Sequence, residues 1–94
     1  IIHVSAMDAL VRCEDPIVEV KPQPTSPIEN RIGAFIADLV EDGATLQTGI
    51  GAIPDAVLKE LTGHRDLGVH TELFADGIID LVERGVINGE RSTW

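Results

Sequence analysis

The residues best suited to chemistry are one carboxylate and one turn of nearly bare backbone. Glu72 closes the run Val69-His70-Thr71-Glu72, and Gly49-Ile50-Gly51-Ala52-Ile53-Pro54 precedes it along the chain. A carboxylate serves as nucleophile, general base, ribose ligand or helix N-cap, and spacing alone leaves these uses open beside a plainly solvated side chain. Paired glycines let the backbone turn tightly and let a ligand approach it closely. If a helix follows, its first N–H groups lack partners and its dipole favours negative charge, so amides alone can hold an anion or an oxyanion. Pro54 fits such a place, because an early helical position has no hydrogen bond to lose. The competing reading is a glycine-rich connector that only turns the chain.

Smaller candidates surround these two. Gln47 and Thr48 stand just before the turn and read either as pocket lining or as a strand end. His70 shares a strand side with Glu72 if the strand is regular, which leaves an orienting role open beside a ring that faces away. His3 and His64 have no partner at metal-ligand spacing. Cys13, the one cysteine, excludes an internal disulfide and reads as a small apolar filler. Asp55 suits the dipole of a following helix, Asp76 competes as a cap, and Asp80, Glu83 and Glu90 read as a solvated face.

The elements that must position these groups follow from periodicity. Ile2 and Val4 alternate with His3 and Ser5, so Ile1 to Met7 reads as a short strand. Asp15 to Val20 reads as extended, and Lys21 to Pro27, with Pro22, Pro24 and Pro27, as a semi-rigid linker. A helical period then places Ile28, Ile32, Phe35, Ile36, Leu39 and Val40 on one face. Ser26, Pro27 and Glu29 form its starting signature, a capping box with proline at the first helical position, and Gly43 its stop. Ala44 to Thr48 is a strand, and Pro54 to Leu61 a helix with Val57, Leu58 and Leu61 as its stripe. Thr62 to Arg65 breaks that helix, Leu67 to Thr71 is the next strand, and Phe74 to Arg84 the next helix. Phe74, Ile78, Leu81 and Val82 face inward there, Gly85 closes the helix, and Val86-Ile87 starts another strand. This order predicts an α/β fold, an open parallel sheet with flanking helices joined by right-handed crossovers. Ligands bind beyond the carboxyl ends of such strands, so Glu72 and the glycine turn face one another if their strands are neighbours.

Bulk properties narrow the function. The chain has 94 residues, 44% of them hydrophobic and 3% aromatic, which favours an aliphatic helix-and-sheet core over an aromatic-rich β module. A formal net charge of -9 repels phosphate backbones and anionic bilayers, so neither nucleic acid nor a membrane is an expected partner. No apolar run approaches the roughly 20 residues of a membrane span. A reducing interior, the cytoplasm, is the expected location. The chain starts at Ile1 without a methionine and reads as a piece of a larger protein.

At this point a family resemblance appears. Gly43-Ala44-Thr45-Leu46-Gln47-Thr48-Gly49-Ile50-Gly51-Ala52-Ile53-Pro54-Asp55-Ala56-Val57-Leu58 resembles the start of the C-terminal domain in the acetyl-CoA hydrolase/transferase family. These are class I CoA-transferases, such as 4-hydroxybutyrate and acetate CoA-transferases. Leu67-Gly68-Val69-His70-Thr71-Glu72-Leu73-Phe74-Ala75-Asp76-Gly77 is similar to the family's second signature. Ile2-His3-Val4-Ser5 and the proline-rich connector resemble the approach to that domain. The resemblance covers nearly the whole chain.

It implies the CoA-transferase (NagB/RpiA-like) fold, with residues 1–27 ending an N-terminal domain and its linker, and 28–94 beginning the C-terminal domain. It implies Glu72 as the nucleophile that becomes a glutamyl-CoA thioester, and Gly49, Ile50, Gly51, Ala52 and Ile53 as a CoA-binding loop. Coenzyme A is then a substrate, with no metal or redox cofactor. The partners are an acyl-CoA and a small carboxylate, and a homo-oligomer is expected. His64 with Arg65 reads either as a contact for a CoA phosphate or as a solvated loop. Family members are several times longer, and Asn88 to Trp94 match them poorly, so this piece is expected to be inactive by itself. Three alternatives remain: an acyl-CoA hydrolase of the same family, a non-catalytic acyl-CoA-binding or assembly module, and an NAD-dependent oxidoreductase with a Rossmann-like fold. For the last, the fingerprint G-x-G-x-x-G with a later acidic residue is nearly met, but Pro54 stands where the third glycine serves helix–strand packing.

Overall fold

A computed structural model describes residues 2–21 and 23–91. Ile1, Pro22 and residues 92–94 lie outside them, and with them the start of the expected first strand, one linker proline and the end of the divergent tail. The element order is α1 (Pro27–Ala37), β1 (Thr45–Leu46), α2 (Ala52–Glu60), β2 (Gly68–Val69) and α3 (Asp76–Glu83). Short 3₁₀ turns occupy Val4–Ala6 and Leu61–Gly63. Among the described residues no helix is long and apolar enough to cross a membrane.

Over its described residues, 2–7, the strand expected from Ile1 to Met7 is not formed. Alternation makes a strand only where a neighbour accepts its ladder bonds, and no described strand pairs with this one. The backbone bonds locally instead, Ala6 N–H to the His3 carbonyl and Met7 N–H to that of Val4. The His3 ring caps the turn by accepting from the Ser5 N–H at 3.2 Å. Among the described residues between Met7 and Ser26 there is no regular element, and Pro16 and Pro24 bar a helix interior there.

Helix α1 starts where the capping box places it. Ser26 Oγ accepts from the Glu29 N–H at 3.3 Å, and the Glu29 carboxylate accepts from the Ser26 N–H at 2.6 Å. It stops at Ala37, well before Gly43, where Leu39 and Val40 N–H groups bond back to Ile36 and Ala37 in a tightened last turn. Gly43 instead turns the chain into β1 at φ +84. The expected face turns inward only in part: Ile32 and Val40 are half-buried, but Ile28 is 72% exposed, Phe35 63% and Leu39 82%, while Gly33 and Ala37 are buried. Close approach explains why a glycine lies at the contact. A Cβ at Gly33 would lie 2.7 Å from the Ala56 carbonyl carbon, so the two backbones meet with no side chain between them.

Strands β1 and β2 pair in parallel, Thr45 with Gly68 and Leu46 with Val69. Leu67 adds a parallel bridge to Ile87, so the strand expected at Val86-Ile87 exists as a single rung. Leu58, Leu61, Leu67, Ile78 and Leu81 are buried together as the centre of the core, with Ala56 buried under α1. The stripes expected on α2 and α3 therefore hold for Leu58, Leu61, Ile78 and Leu81, but Phe74 and Val82 are exposed. Phe74 precedes α3, which begins only at Asp76, so helical period does not govern its direction. At the other end Gly85 takes φ +73. Its N–H donates to the Val82 carbonyl and the Val86 N–H to that of Leu81, both at 2.9 Å, the paired bonds of a glycine-terminated helix.

Candidate active site

Two parallel neighbours put their carboxyl ends on one edge. β1 runs out through Gln47 and Thr48 into the glycine turn, and β2 runs out through His70 and Thr71 into Glu72. Gly51 is the N-cap of α2, at φ +124 and ψ -179, a conformation open essentially to glycine alone. No side chain caps α2. The first four N–H groups of a helix have no intrahelical partner, and Pro54 carries none, so Ala52 and Ile53 are the donors the turn offers nearest its start. A Cβ on Gly51 would meet nothing within 4 Å, so the glycine opens onto free space. Asp55 lies in the first turn of α2 and Lys59 in the last, each favourable to the dipole.

Glu72 is exposed and lies between β2 and α3. It does not cap α3, whose N-cap is Ala75, and neither does Asp76, which sits in the first turn. No ion pair among the described residues includes Glu72. The last main-chain sheet bond on this edge is His70 N–H to the Leu46 carbonyl, 2.8 Å. One step further, Thr71 Oγ1 accepts from the Thr48 N–H at 3.2 Å and lies 2.9 Å from the Thr48 carbonyl and 2.8 Å from that of Leu73.

The glycine turn divides between two hollows. Ile50, Gly51 and Ala52 line a cleft of about 610 Å³ with Phe74, Ala75 and Asp76 as the opposite wall. Val20, Lys21, Gln23 and Asp55 complete it, so the segment before α1 lies beside the turn. Gly49 and Ile53 line a smaller hollow of about 230 Å³ with Gln47 and Thr48. Glu72 lines neither of these two, although the residues that follow it do. Periodicity missed Phe74 and Lys21 as cleft walls; an aromatic two positions after the carboxylate was the available signal.

The lesser candidates resolve differently from expectation. His64 is not a solvated loop residue: it is half-buried, with Nε2 3.0 Å from the Val40 carbonyl and Nδ1 buried without a partner. Arg65 acts through its backbone, its N–H donating to Asp42 at 2.9 Å and its carbonyl accepting from Gly43. Cys13 is exposed, 3.5 Å from an Asp15 oxygen, and fills no core. Thr48 Oγ1 is buried without a partner at the smaller hollow. Among the described residues no group of three or more His, Cys, Asp or Glu could hold a metal ion.

Comparison with known proteins adds a second line of observation. The chain is 56% identical over 87 residues to a succinyl-CoA:acetate/propanoyl-CoA:succinate CoA transferase of Fasciola hepatica, covering 92% of this chain and 18% of that protein. It is 49% identical over 92 residues to a 4-hydroxybutyrate coenzyme A transferase of Clostridium kluyveri, covering 98% and 21%. Among solved structures, a 4-hydroxybutyrate CoA-transferase from Porphyromonas gingivalis superposes with a TM-score of 0.84 at 50% identity, covering 96% of this chain and 23% of that one. RipA from Yersinia pestis superposes at 0.78 with 44% identity, covering 92% and 20%. The chain spans about a fifth of the length of the curated relatives it matches. No family model matches it.

Proposed function

We propose, because the chain belongs to the CoA-transferase family and matches its members over 92% to 98% of its length, that the polypeptide carrying it moves coenzyme A from an acyl-CoA to a small carboxylate, with Glu72 as the covalent carrier. The observation that carries this reading is the parallel pairing of β1 and β2, which gives Glu72 and the glycine turn the same sheet edge.

The chemistry uses one carboxylate twice. A Glu72 oxygen attacks the thioester carbonyl, the C–S bond breaks, and the CoA thiolate leaves an acyl-glutamyl anhydride. The thiolate then attacks the glutamyl carbonyl carbon, and the acyl group departs as a carboxylate. An incoming carboxylate reverses these steps with its own acyl group and frees Glu72. No net proton or electron is exchanged, so covalent carriage alone divides the transfer into feasible steps. Each tetrahedral intermediate needs donors aimed at its oxyanion, each worth about 3 kcal/mol. We assign part of that role to the Ala52 and Ile53 N–H groups, and part of the CoA site to the larger cleft, whose size suits a small-molecule pocket of about 300–1,000 Å³. Glu72 is exposed, so bound acyl-CoA and residues outside these 94 must supply the desolvation a carboxylate nucleophile needs. Binding of the remote CoA body supplies the rest.

Incubating the complete polypeptide with an acyl-CoA and then borohydride tests this. Borohydride reduces a glutamyl thioester to the alcohol, and mass spectrometry should find the change on Glu72. Glu72→Gln should abolish labelling and lower turnover by at least about 10³-fold. A modification on any other residue would overturn the assignment. Water in place of the second carboxylate makes the same site a hydrolase, and the ratio of free CoA to exchanged acyl-CoA in that assay separates the two.

A further inference from the structure

We propose that the Thr71 hydroxyl is a positioning group that fixes Glu72 relative to the glycine turn, a role that rests on the reading of Glu72 above. Main-chain pairing between β1 and β2 ends with His70 N–H on the Leu46 carbonyl. Beyond that bond the two loops have no sheet to hold them, yet this is where the chemistry lies. Thr71 continues the ladder with its side chain. Its oxygen accepts the Thr48 N–H, and Thr48 is the residue immediately before Gly49. Its single proton has two carbonyls in reach, that of Thr48 across the gap and that of Leu73 just past Glu72. A hydroxyl has one donor and two lone pairs, so one lone pair takes the Thr48 N–H while the single proton is shared between the two carbonyls.

The consequence is specific to Glu72. Its side chain makes no ion pair among the described residues, so its place is set by its backbone. That backbone is bracketed by one hydroxyl, attached on one side at Thr71 and bonded on the other at Leu73. The same oxygen anchors the entrance of the glycine turn. Nucleophile and amide donors thus share one reference point, and a displacement of about 1 Å between such groups costs on the order of 10²-fold in rate.

Thr71→Val keeps the branched shape and removes the hydroxyl, and Thr71→Ser keeps the hydroxyl. In the complete polypeptide, Thr71→Val should lower kcat about 10²-fold while KM for the acyl-CoA changes less than about threefold. Thr71→Ser should stay within about threefold of wild type, with thermal midpoints recorded for both. A purely structural role predicts losses that track the midpoint, with no split between kcat and KM and no rescue by serine; that pattern would overturn the proposal. Borohydride labelling separates the two levels. Absence of label on wild-type Glu72 overturns the Glu72 reading and this role with it, whereas full wild-type labelling with undiminished kcat in Thr71→Val overturns this role alone. If Thr71→Val does not fold, hydrogen exchange of the wild-type protein decides: a protected Thr48 amide supports the tie, and one that exchanges like an unstructured amide refutes it.

Discussion

Replacing Gly33 by alanine sets two effects of opposite sign against each other. In a helix interior alanine is favoured over glycine by about 1 kcal/mol, so propensity alone makes Gly33→Ala stabilising. Packing says otherwise. The new Cβ would sit 2.7 Å from the Ala56 carbonyl carbon, 2.8 Å from its oxygen and 3.0 Å from its Cβ. Carbon atoms rest at about 3.5–4.0 Å, so α1 and α2 must separate by roughly 1 Å. The obstacle is backbone inside a helix, which cannot swing away as a side-chain tip can. Overpacking of this kind costs about 1–3 kcal/mol. Because the obstacle is backbone, the upper part of that range applies, so the clash outweighs the propensity gain and the net loss is about 1–2 kcal/mol. Urea unfolding of the chain reads it directly: with m near 1 kcal/mol/M, the midpoint should fall by about 1–2 M. A midpoint equal to or above that of wild type would refute the close-approach account of this helix pair.

Gly51→Ala meets no neighbour, so its effect is conformational: holding alanine at φ +124 costs about 1–3 kcal/mol, and the turn should rearrange instead. Calorimetric titration of the complete polypeptide with CoA should then show affinity about tenfold weaker, and unchanged affinity would remove the turn from the site. Glu29 supplies a pH signature. The Ser26 N–H, and secondarily the Ser26 hydroxyl, hold its carboxyl below the ordinary 4.5. The folded chain therefore binds fewer protons here than the unfolded one; the stability this gives is complete above pH 4.5 and is lost as pH falls through the folded value. Stability curves of wild type and Glu29→Gln should run parallel above that pH and converge or cross below it, whereas curves parallel throughout would deny the capping bond its role.

What could be read in advance follows a physical division. Local rules fixed α1's start, because Ser26, Pro27 and Glu29 need only one another. The βαβ unit around the glycine turn was also legible, since turn chemistry and short apolar runs punctuate it without ambiguity, and with it the shared edge of Glu72 and Gly51. Periodicity groups residues on a face but does not say which face turns inward. Ile28, Ile32, Phe35, Ile36, Leu39 and Val40 formed the conspicuous stripe, yet Gly33 makes the close contact with α2, because its partner there is the Ala56 backbone. The strand expected near Ile2 failed for a related reason: alternation says nothing about whether a neighbour exists. Neither rule could foresee that Ile50 to Ala52 face one hollow and Gly49 another, since that split depends on where Lys21 and Phe74 come to rest.

The end of α3 has a mechanical meaning. Val86 gives its N–H to Leu81, finishing the helix, and its carbonyl to the Leu67 N–H, opening the third rung of the sheet. One residue thus serves both, with no slack between them. α3 is keyed to the sheet like a cog to a rack, and a slip at Leu67 would be felt at its far end, where Ala75 and Asp76 wall the larger cleft.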